Sequence, residues 1–479
     1  MQLLIIGGSD AAIMAGLRAR EVSPNIDVTL LVADRYPNYS VCGIPFHVGG
    51  LVQKTRDLAH RSIDDLQAAG LRLRLGTRAT AINPIEHTVA ARTQDDTALT
   101  FHYDRLIVAT GASPTDGGIK VTTRTNAAGL AGHDANGAQY EHCDSKPGSA
   151  GVYRVHDMAD MLAIEDDLAA REPTTATVIG GGYIGLEMAE ALRLRGLDVT
   201  MLHRGTEVLS TLDIDMGSLI HAELTAHGVH VHTGFEVHRI TRTNEPDRWL
   251  ISGANAADAN ITTGLIIIAA GIRPNTSLLR QSGARTGAGG AIVVDDHMRT
   301  NLPDIFAAGD VATTRHRLIG TTWLPLGTTA HKQGRVAGEN AVGGDDVYAG
   351  TLGTQVVKVF SLVAARTGLC DDEARRAGFR ARSVGVTVDD HKAYVPGARP
   401  LTIRLTGEST TGRLLGAQLV GSYGSEVAKR CDILATAIFA GLTIDQLLSL
   451  DLSYTPPIAA PWDAVQMAAQ RWLRADLRR

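Results

Sequence analysis

The residues best suited to chemistry are one cysteine and two glycine-rich turns. Cys42 lies in Asn38-Tyr39-Ser40-Val41-Cys42-Gly43-Ile44-Pro45, beside Gly and Pro, where a backbone turns and a thiol is more accessible than in a core strand. Burial as a small hydrophobe is the ordinary fate of a lone cysteine. Here the redox reading is favoured, because the flanking motifs supply what a working thiol needs. An apolar strand, Leu3 to Ile6, runs into Gly7-Gly8-Ser9-Asp10-Ala11-Ala12 and a helical stretch reaching Arg20. A second strand, Val28 to Val32, leads to Asp34 and Arg35. In this layout a helix N-terminus faces a pyrophosphate and the acid takes a ribose hydroxyl. The glycine pattern is degraded, with Ser9 and Ala12 where the second and third glycines are usual.

The second turn is intact. Strand Ala176 to Ile179 precedes Gly180-Gly181-Gly182-Tyr183-Ile184-Gly185, and a helix follows through Glu187 to Leu194 before a strand at Val199 to Leu202. His203-Arg204 stands where an acid would hold the ribose of NADH, and a basic pair attracts a 2′-phosphate. NADPH is therefore favoured over NADH. Two nucleotide sites in one chain imply FAD held for the chemistry and a nicotinamide nucleotide that comes and goes.

The elements that position these turns read as α/β. At 479 residues the chain has room for about three domains. Glycine is abundant (51) and aromatics are 4%, which suits many tight strand-to-helix turns. A net charge of −5 provides no basic field for nucleic acid. Cys42, Cys143, Cys370 and Cys431 are far apart and lack metal-ligand spacing, which points to a reduced, cytoplasmic protein. The apolar start is too short for a secretory signal, and no run approaches a membrane span. His227, His230 and His232 read as a solvent-facing strand, not a metal site.

A buried strand over Tyr103 to Gly111 ends in Ala109-Thr110-Gly111, and another over Leu265 to Gly271 closes at Gly271. Residues 115–150 read as a long irregular insertion containing His133, His142 and Cys143. Gly309-Asp310 follows a small-residue strand end, and Asp310 reads equally as a cofactor ligand or a helix cap. From Gly350 onward the chain turns strand-rich, with a helix over Glu426 to Ala440 and an apolar C-terminal tail carrying Trp462 and Trp472. This last part reads as an α+β domain able to present a dimer surface.

The ordered motifs resemble the pyridine nucleotide-disulfide oxidoreductase superfamily over nearly the full length. They are C-G-I-P at Cys42, A-T-G at Ala109, G-G-G-Y-I-G-L-E at Gly180, the run ending at Asp310, P-L-G-T-T-A-H-K-Q-G-R from Pro325, Y-V-P-G-A at Tyr394 and D-L-S-Y-T-P-P at Tyr454. The resemblance is to the single-cysteine branch, which includes coenzyme A disulfide reductases, NADH oxidases, NADH peroxidases and persulfide reductases. It implies two Rossmann-like nucleotide-binding domains, an FAD domain split by an NAD(P)H domain, plus a C-terminal dimerisation domain. The expected boundaries are 1–150, 151–275, 276–347 and 348–479. The resemblance adds Thr328, Thr329 and Ala330 to the cofactor-binding residues. It implies a homodimer in which Tyr394 and Tyr454, from the other subunit, assist a departing thiolate.

Position 47 is His47, so the two-cysteine disulfide of other members is excluded. Asp10 replaces the histidine that oxidases and peroxidases carry in the first turn, which weighs against oxygen or peroxide. The S-F-x-N motif of coenzyme A reductases is Asn38-Tyr39-Ser40-Val41 here, and the first helix carries Arg18 and Glu21 at positions where their pattern differs. No rhodanese domain follows, which argues against a fused persulfide reductase. The expected activity is NAD(P)H- and FAD-dependent reduction of a small disulfide or polysulfide by Cys42. An oxidase or peroxidase acting through a Cys42 sulfenic acid is the alternative, and a flavoprotein redox sensor the second.

Overall fold

The computed structural model describes residues 1–122, 151–245, 248–254 and 260–475. Most of the expected insertion, with His133, His142 and Cys143, lies outside the described residues. The chain divides into two compact units. One takes Met1–Gly43, Gln53–Ser113 and Ile272–Gly353; the other takes Ile44–Val52, Pro114–Gly271 and Thr354–Arg479.

The first unit is built on a five-stranded parallel sheet in the order Ile305–Ala307, Arg105–Val108, Gln2–Ile6, Asp27–Leu31, Leu71–Arg74. The central strand is apolar without alternation because both faces are covered. Leu3 and Ile5 face the helices Asp10–Val22 and Gly327–Ala341, while Leu4 and Ile6 join a second core with Ile82, Val89 and Ala91. Those last three come from the antiparallel sheet Thr77–Asn83, Thr88–Thr93, Ala98–His102. The two helices approach backbone to backbone: a Cβ on Gly334 would lie 2.3 Å from Ala11 O, and one on Gly338 2.2 Å from Ala15 O. The buried strand expected over Tyr103 to Gly111 is confined to Arg105–Val108, since Ala109-Thr110-Gly111 turns away to meet Asn275.

The second unit carries its own parallel sheet, in the order Val152–Tyr153, Leu265–Ile268, Thr175–Ile179, Asp198–Leu202, Val229–His232. Beside it stands a four-stranded sheet, Ile261–Thr263, Trp249–Ala254, Glu236–Arg242, Lys120–Thr122. The strand Lys120–Thr122 corrects the expectation that structure is irregular from 115 onward. Its register with Arg239–Thr241 supplies a partner that a polar sequence does not advertise. His230 and His232 share the less buried face of Val229–His232, and His230 Nε2 lies 3.2 Å from Asp198. Among the described residues no His, Cys, Asp or Glu group forms a metal-binding cluster.

The unit ends in a five-stranded antiparallel sheet, Gln355–Val359, Leu362–Gly368, Leu414–Ser422, Pro400–Glu408, Ala381–Asp389, packed by helices Val427–Phe439 and Ala464–Arg474. The expected apolar tail is in fact that last amphipathic helix, capped by Asp463, whose side chain accepts the Val465 N–H at 3.0 Å. Trp472 is buried under the Arg382 guanidinium, 3.7 Å from its ring centroid, whereas Trp462 is exposed. The turn between the first two strands grips the nucleotide part of the unit. Phe360 N donates to Glu190 at 2.8 Å, Ser361 N to Glu223 at 2.7 Å, and the His227 ring stacks on Phe360 at 4.2 Å. Lys358 pairs with Glu190, and Arg404 with Asp213 and Asp215 at 2.9 Å each. Among the described residues no helix is long and apolar enough to cross a membrane.

Gly338→Ala tests the helix contact. Helix propensity alone would stabilise by about 1 kcal/mol, while overpacking against Ala15 O costs about 1–3 kcal/mol. We expect a lower thermal unfolding midpoint; a higher one would show that the approach is not tight.

Candidate active site

In the first unit, strand Gln2–Ile6 ends at Gly7, whose φ of 143° only glycine adopts easily; a Cβ there would sit 2.4 Å from Ala109 O. Ser9 is the N-cap position of helix Asp10–Val22, and Ala12 is buried beneath the turn. Ala109-Thr110-Gly111 is stitched to Asn275: Thr110 Oγ1 donates to Asn275 O at 2.9 Å, Asn275 Nδ2 to Thr110 O at 2.9 Å and Asn275 N to Gly111 O at 3.0 Å. After the second strand, Asp34 Oδ1 accepts the Tyr36 N–H at 2.8 Å, and Arg35 donates twice to Gln94 Oε1, at 2.6 and 3.0 Å.

Gly309 N donates to Gln333 Oε1 at 2.9 Å, and Asp310 O accepts Trp323 Nε1 at 2.8 Å. Asp310 enters a turn, not a helix, which removes the cap reading. Burial, then the neighbouring Asp10 charge, raises its carboxyl to about 6. In helix Gly327–Ala341 Thr328 is exposed, while Thr329 and Ala330 are buried. Thr329 Oγ1 has no hydrogen-bond partner among the described residues. A glycine cradle, two helix N-termini and that orphaned hydroxyl fit a bound dinucleotide, and these are the residues that would hold FAD.

Cys42 is exposed in the 3-10 turn Val41–Gly43. Hydrogen bonds fix this loop: Asn38 N to Gly8 O at 2.7 Å, Ser40 N to Leu58 O at 2.8 Å and Gly43 N to Ser40 O at 3.1 Å. The cysteine turn is thus fastened to the first glycine turn. One group missed in the sequence is His331, whose Nε2 lies 3.4 Å from Asp10 Oδ1. Its only signal was its place directly after Thr328-Thr329-Ala330.

In the second unit Gly180 repeats the device, with φ 119° and a Cβ that would lie 2.2 Å from Ala269 O. A Cβ on Gly185 would lie 1.9 Å from Gly180 O. Gly182 is the N-cap position of helix Tyr183–Leu194. A cleft lined by Gly180, Gly181, Gly182, His203, Arg204 and Ser210 lies at this helix start, where a nicotinamide nucleotide fits. Gly271, with φ 118°, receives the Thr115 N–H on its carbonyl at 2.8 Å.

The two members of the basic pair differ. Arg204 is exposed, but His203 Nδ1 accepts the Gly181 N–H at 3.1 Å and burial lowers the ring's pKa, so the charge rests on Arg204. Tyr183 OH lies 3.4 Å from Thr211 Oγ1, and burial pushes the phenol up; Ile184 is exposed. Segment Ile44–Val48, directly after the cysteine turn, lies on helix Tyr183–Leu194, and Arg195 Nε donates to Val48 O at 2.6 Å. On that helix burial, then the charge of Glu190, raises Glu187 to about 7.

Tyr394 and Tyr454 meet on the exposed surface of the C-terminal part. Desolvation first, then the Tyr394 hydroxyl, raises the Tyr454 phenol. Lys392 Nζ lies 5.8 Å from the Tyr394 ring centroid.

Glu187 gives a pH prediction. Its carboxyl rises from 4.5 to about 7 on folding, so between those values the folded state binds more protons than the unfolded one. Stability therefore falls as pH rises through that window, by at most about 3 kcal/mol. Glu187→Gln should raise the thermal midpoint relative to wild type at pH 8 but not at pH 4.5; an equal effect at both would refute the assignment.

Comparison with known proteins agrees with this geometry. The pyridine nucleotide-disulphide oxidoreductase family matches residues 1–334, and its dimerisation domain matches residues 354–465. The chain is similar to the NAD(P)H coenzyme A polysulfide/persulfide reductase of Pyrococcus horikoshii, 30% identical over 472 residues and 98% of each chain. It is similar to the NAD-dependent persulfide reductase structure from A. fulgidus, with TM-score 0.89 and 32% identity over 100% of this chain and 84% of that one. It is also similar to the water-forming NADH oxidase of Lactobacillus brevis, with TM-score 0.88 and 27% identity over 100% of this chain and 99% of the other. With two glycine cradles, a cysteine turn fastened to the first and an antiparallel domain behind the second, the chain belongs to the pyridine nucleotide-disulphide oxidoreductase family, whose members work with FAD and a nicotinamide nucleotide.

Proposed function

We propose that this enzyme carries two electrons from NAD(P)H to Cys42, which reduces a small sulfur substrate: a disulfide of the coenzyme A type, a persulfide or a polysulfide. The observation that carries the reading is the exposure of Cys42 in a turn bonded to the first glycine turn at 2.7 Å. FAD, when bound, relays the electron pair between the nicotinamide and the sulfur. The Cys42 thiolate attacks the substrate's sulfur–sulfur bond, and the mixed disulfide is resolved by the next two electrons. The relatives named for polysulfide and persulfide reduction support this class of acceptor.

NADPH is the favoured donor. The exposed Arg204 lines the cleft and offers a guanidinium to a 2′-phosphate, and His203 replaces the usual ribose-binding acid in sequence, though Glu236 also lines the cleft. The flavin domain takes residues 1–150 and 276–347, the nicotinamide domain 151–275 and the dimerisation domain 348–479. Tyr394 and Tyr454 reach the partner subunit's sulfur site and hydrogen-bond the departing thiolate. A cytoplasmic location suits a mechanism whose thiol must return to the reduced state after each turnover.

Anaerobic oxidation of NADPH and NADH with coenzyme A disulfide and inorganic polysulfide tests the reading. Cys42→Ser should lower turnover by about a thousandfold or more; turnover that survives the substitution, or appears only with oxygen, would overturn it. Arg204→Ala should raise the KM for NADPH by about 10–100-fold, as expected for a lost charge-assisted contact, and that for NADH by less than about twofold. Equal effects on both nucleotides would remove Arg204 as the selector.

A further inference from the structure

Three polar side chains stand in a row on the antiparallel C-terminal sheet. Arg366, Gln418 and Arg404 lie directly opposite one another on strands Leu362–Gly368, Leu414–Ser422 and Pro400–Glu408, and so share one face. Gln418 is 1% exposed and Arg366 6%. Polar groups this deep need partners, and an apolar row could cover the same face without that demand. Each finds a partner in the same place, where segment 203–213 leaves strand Asp198–Leu202 and enters helix Ile214–Ala226. Arg366 Nη1 donates to Thr211 O at 2.5 Å. Gln418 Oε1 accepts the Asp213 N–H and its Nε2 donates to Asp213 Oδ2, both at 2.7 Å. Arg404 Nε donates to the same Oδ2, and its Nη1 to Asp215 Oδ2, at 2.9 Å each. The two arginines are fixed from behind as well: Arg366 pairs with Glu373, and Arg404 Nη2 donates to Asp371 at 2.7 Å.

The other part of the segment is bonded to the second glycine turn. His203 Nδ1 accepts the Gly181 N–H at 3.1 Å, and Leu209 N donates to Gly181 O at 2.7 Å. Leu209 has a φ of 51°, which a bulky residue keeps only where its surroundings hold it. The segment contributes Arg204 and Ser210, both exposed, to the wall of the cleft. Ser210 stands between the Leu209 bond to the turn and the Thr211 bond to the sheet, so its place is fixed from both sides.

We propose that the Arg366–Gln418–Arg404 row sets how tightly the cleft takes its nicotinamide nucleotide, by holding the wall that carries Arg204 and Ser210. These are positioning residues, since none of the three lines the cleft. The proposal rests on the cleft as the nicotinamide site and is independent of Cys42 and its substrate. Without the row the segment samples other conformations, and the apparent dissociation constant rises in inverse proportion to the fraction still in place. A fraction of roughly one-tenth raises it about 10-fold. Hydride delivery from a nucleotide already bound is left alone, so binding and chemistry separate.

The test mixes the full-length, FAD-loaded enzyme anaerobically with NADPH or with NADH and follows flavin bleaching. The nucleotide concentration giving the half-maximal rate reports binding, and the limiting rate reports hydride delivery. Gln418→Glu sets a carboxylate against that of Asp213; Gln418→Leu removes both bonds without adding a charge, and decides alone should the first variant fail to fold. We expect the half-saturating concentration of the better-bound nucleotide to rise about 10-fold or more in both variants, with the limiting rate within about twofold of wild type. Combining Gln418→Glu with Asp213→Asn restores a donor opposite the new carboxylate and keeps the net charge, and should bring binding back to within about threefold. Gly182→Asp tests the cleft itself. A Cβ at Gly182 meets nothing within 4 Å, so the variant places a carboxylate at the helix start without a clash, and half-saturation should rise by about 100-fold or more.

An unchanged half-saturating concentration in the Gln418 variants, a loss confined to the limiting rate, or no recovery in the double variant would overturn the proposal, while a large Gly182→Asp effect leaves the cleft assignment standing. Half-saturation unmoved by Gly182→Asp would overturn the cleft assignment, and the proposal with it.

Discussion

Both glycine turns depend on a backbone carbonyl occupying the space where a side chain would otherwise lie. Ala109 O fills it beside Gly7 and Ala269 O beside Gly180, each within about one bond length of contact with a Cβ. Because a neighbouring strand ends on that carbonyl, the turn, the strand tip and the following helix N-terminus are located by one steric condition. This explains how the first turn tolerates Ser9 and Ala12 in place of glycine. The position that meets backbone is Gly7, and Ala12 packs its methyl into the core below. At the second turn Gly185 is also indispensable, since Gly180 O lies where its Cβ would be.

Charge is arranged around these turns with equal economy. Asp310 and Glu187 are carboxyls raised toward neutrality by burial and by one nearby acid each, Asp10 and Glu190. Each neighbour lies beside a basic side chain: His331 Nε2 is 3.4 Å from Asp10, and Lys358 pairs with Glu190. The site groups are thereby kept close to titration while the charges that tune them are held in place. Removing either partner would leave a partly buried carboxylate without compensation, which is costlier than never having placed it.

The antiparallel C-terminal sheet does more than offer a surface. Its Phe360-Ser361 turn reaches Glu190 and Glu223 on two separate helices of the nucleotide part, and Arg404 ties Asp213 and Asp215. The helix that begins at Gly182 is held at its far end by Lys358 and Phe360 and along its side by Ile44–Val48. Segment Ile44–Val48 and helix Tyr183–Leu194 therefore pack within one unit.

Much of this was legible in the amino-acid order. A continuous apolar strand, a glycine turn and a helix are local patterns, so both glycine turns and the α/β class were readable from composition and spacing. The cysteine beside Gly and Pro was readable as exposed for the same reason. Contacts between distant segments were not. The pairing of Lys120–Thr122 with Arg239–Thr241 depends on register across more than a hundred residues, and the burial of Trp472 depends on Arg382. His203 read as half of a basic pair until Gly181 N–H occupied its Nδ1 and burial lowered its pKa. Asp10 read as a missing histidine until another helix brought His331 to it. Sequence alone determined which backbone shapes were allowed, because glycine sterics and apolar periodicity act over a few residues. Which charges meet was decided only by tertiary structure, because ion pairs form between side chains that share space and not sequence.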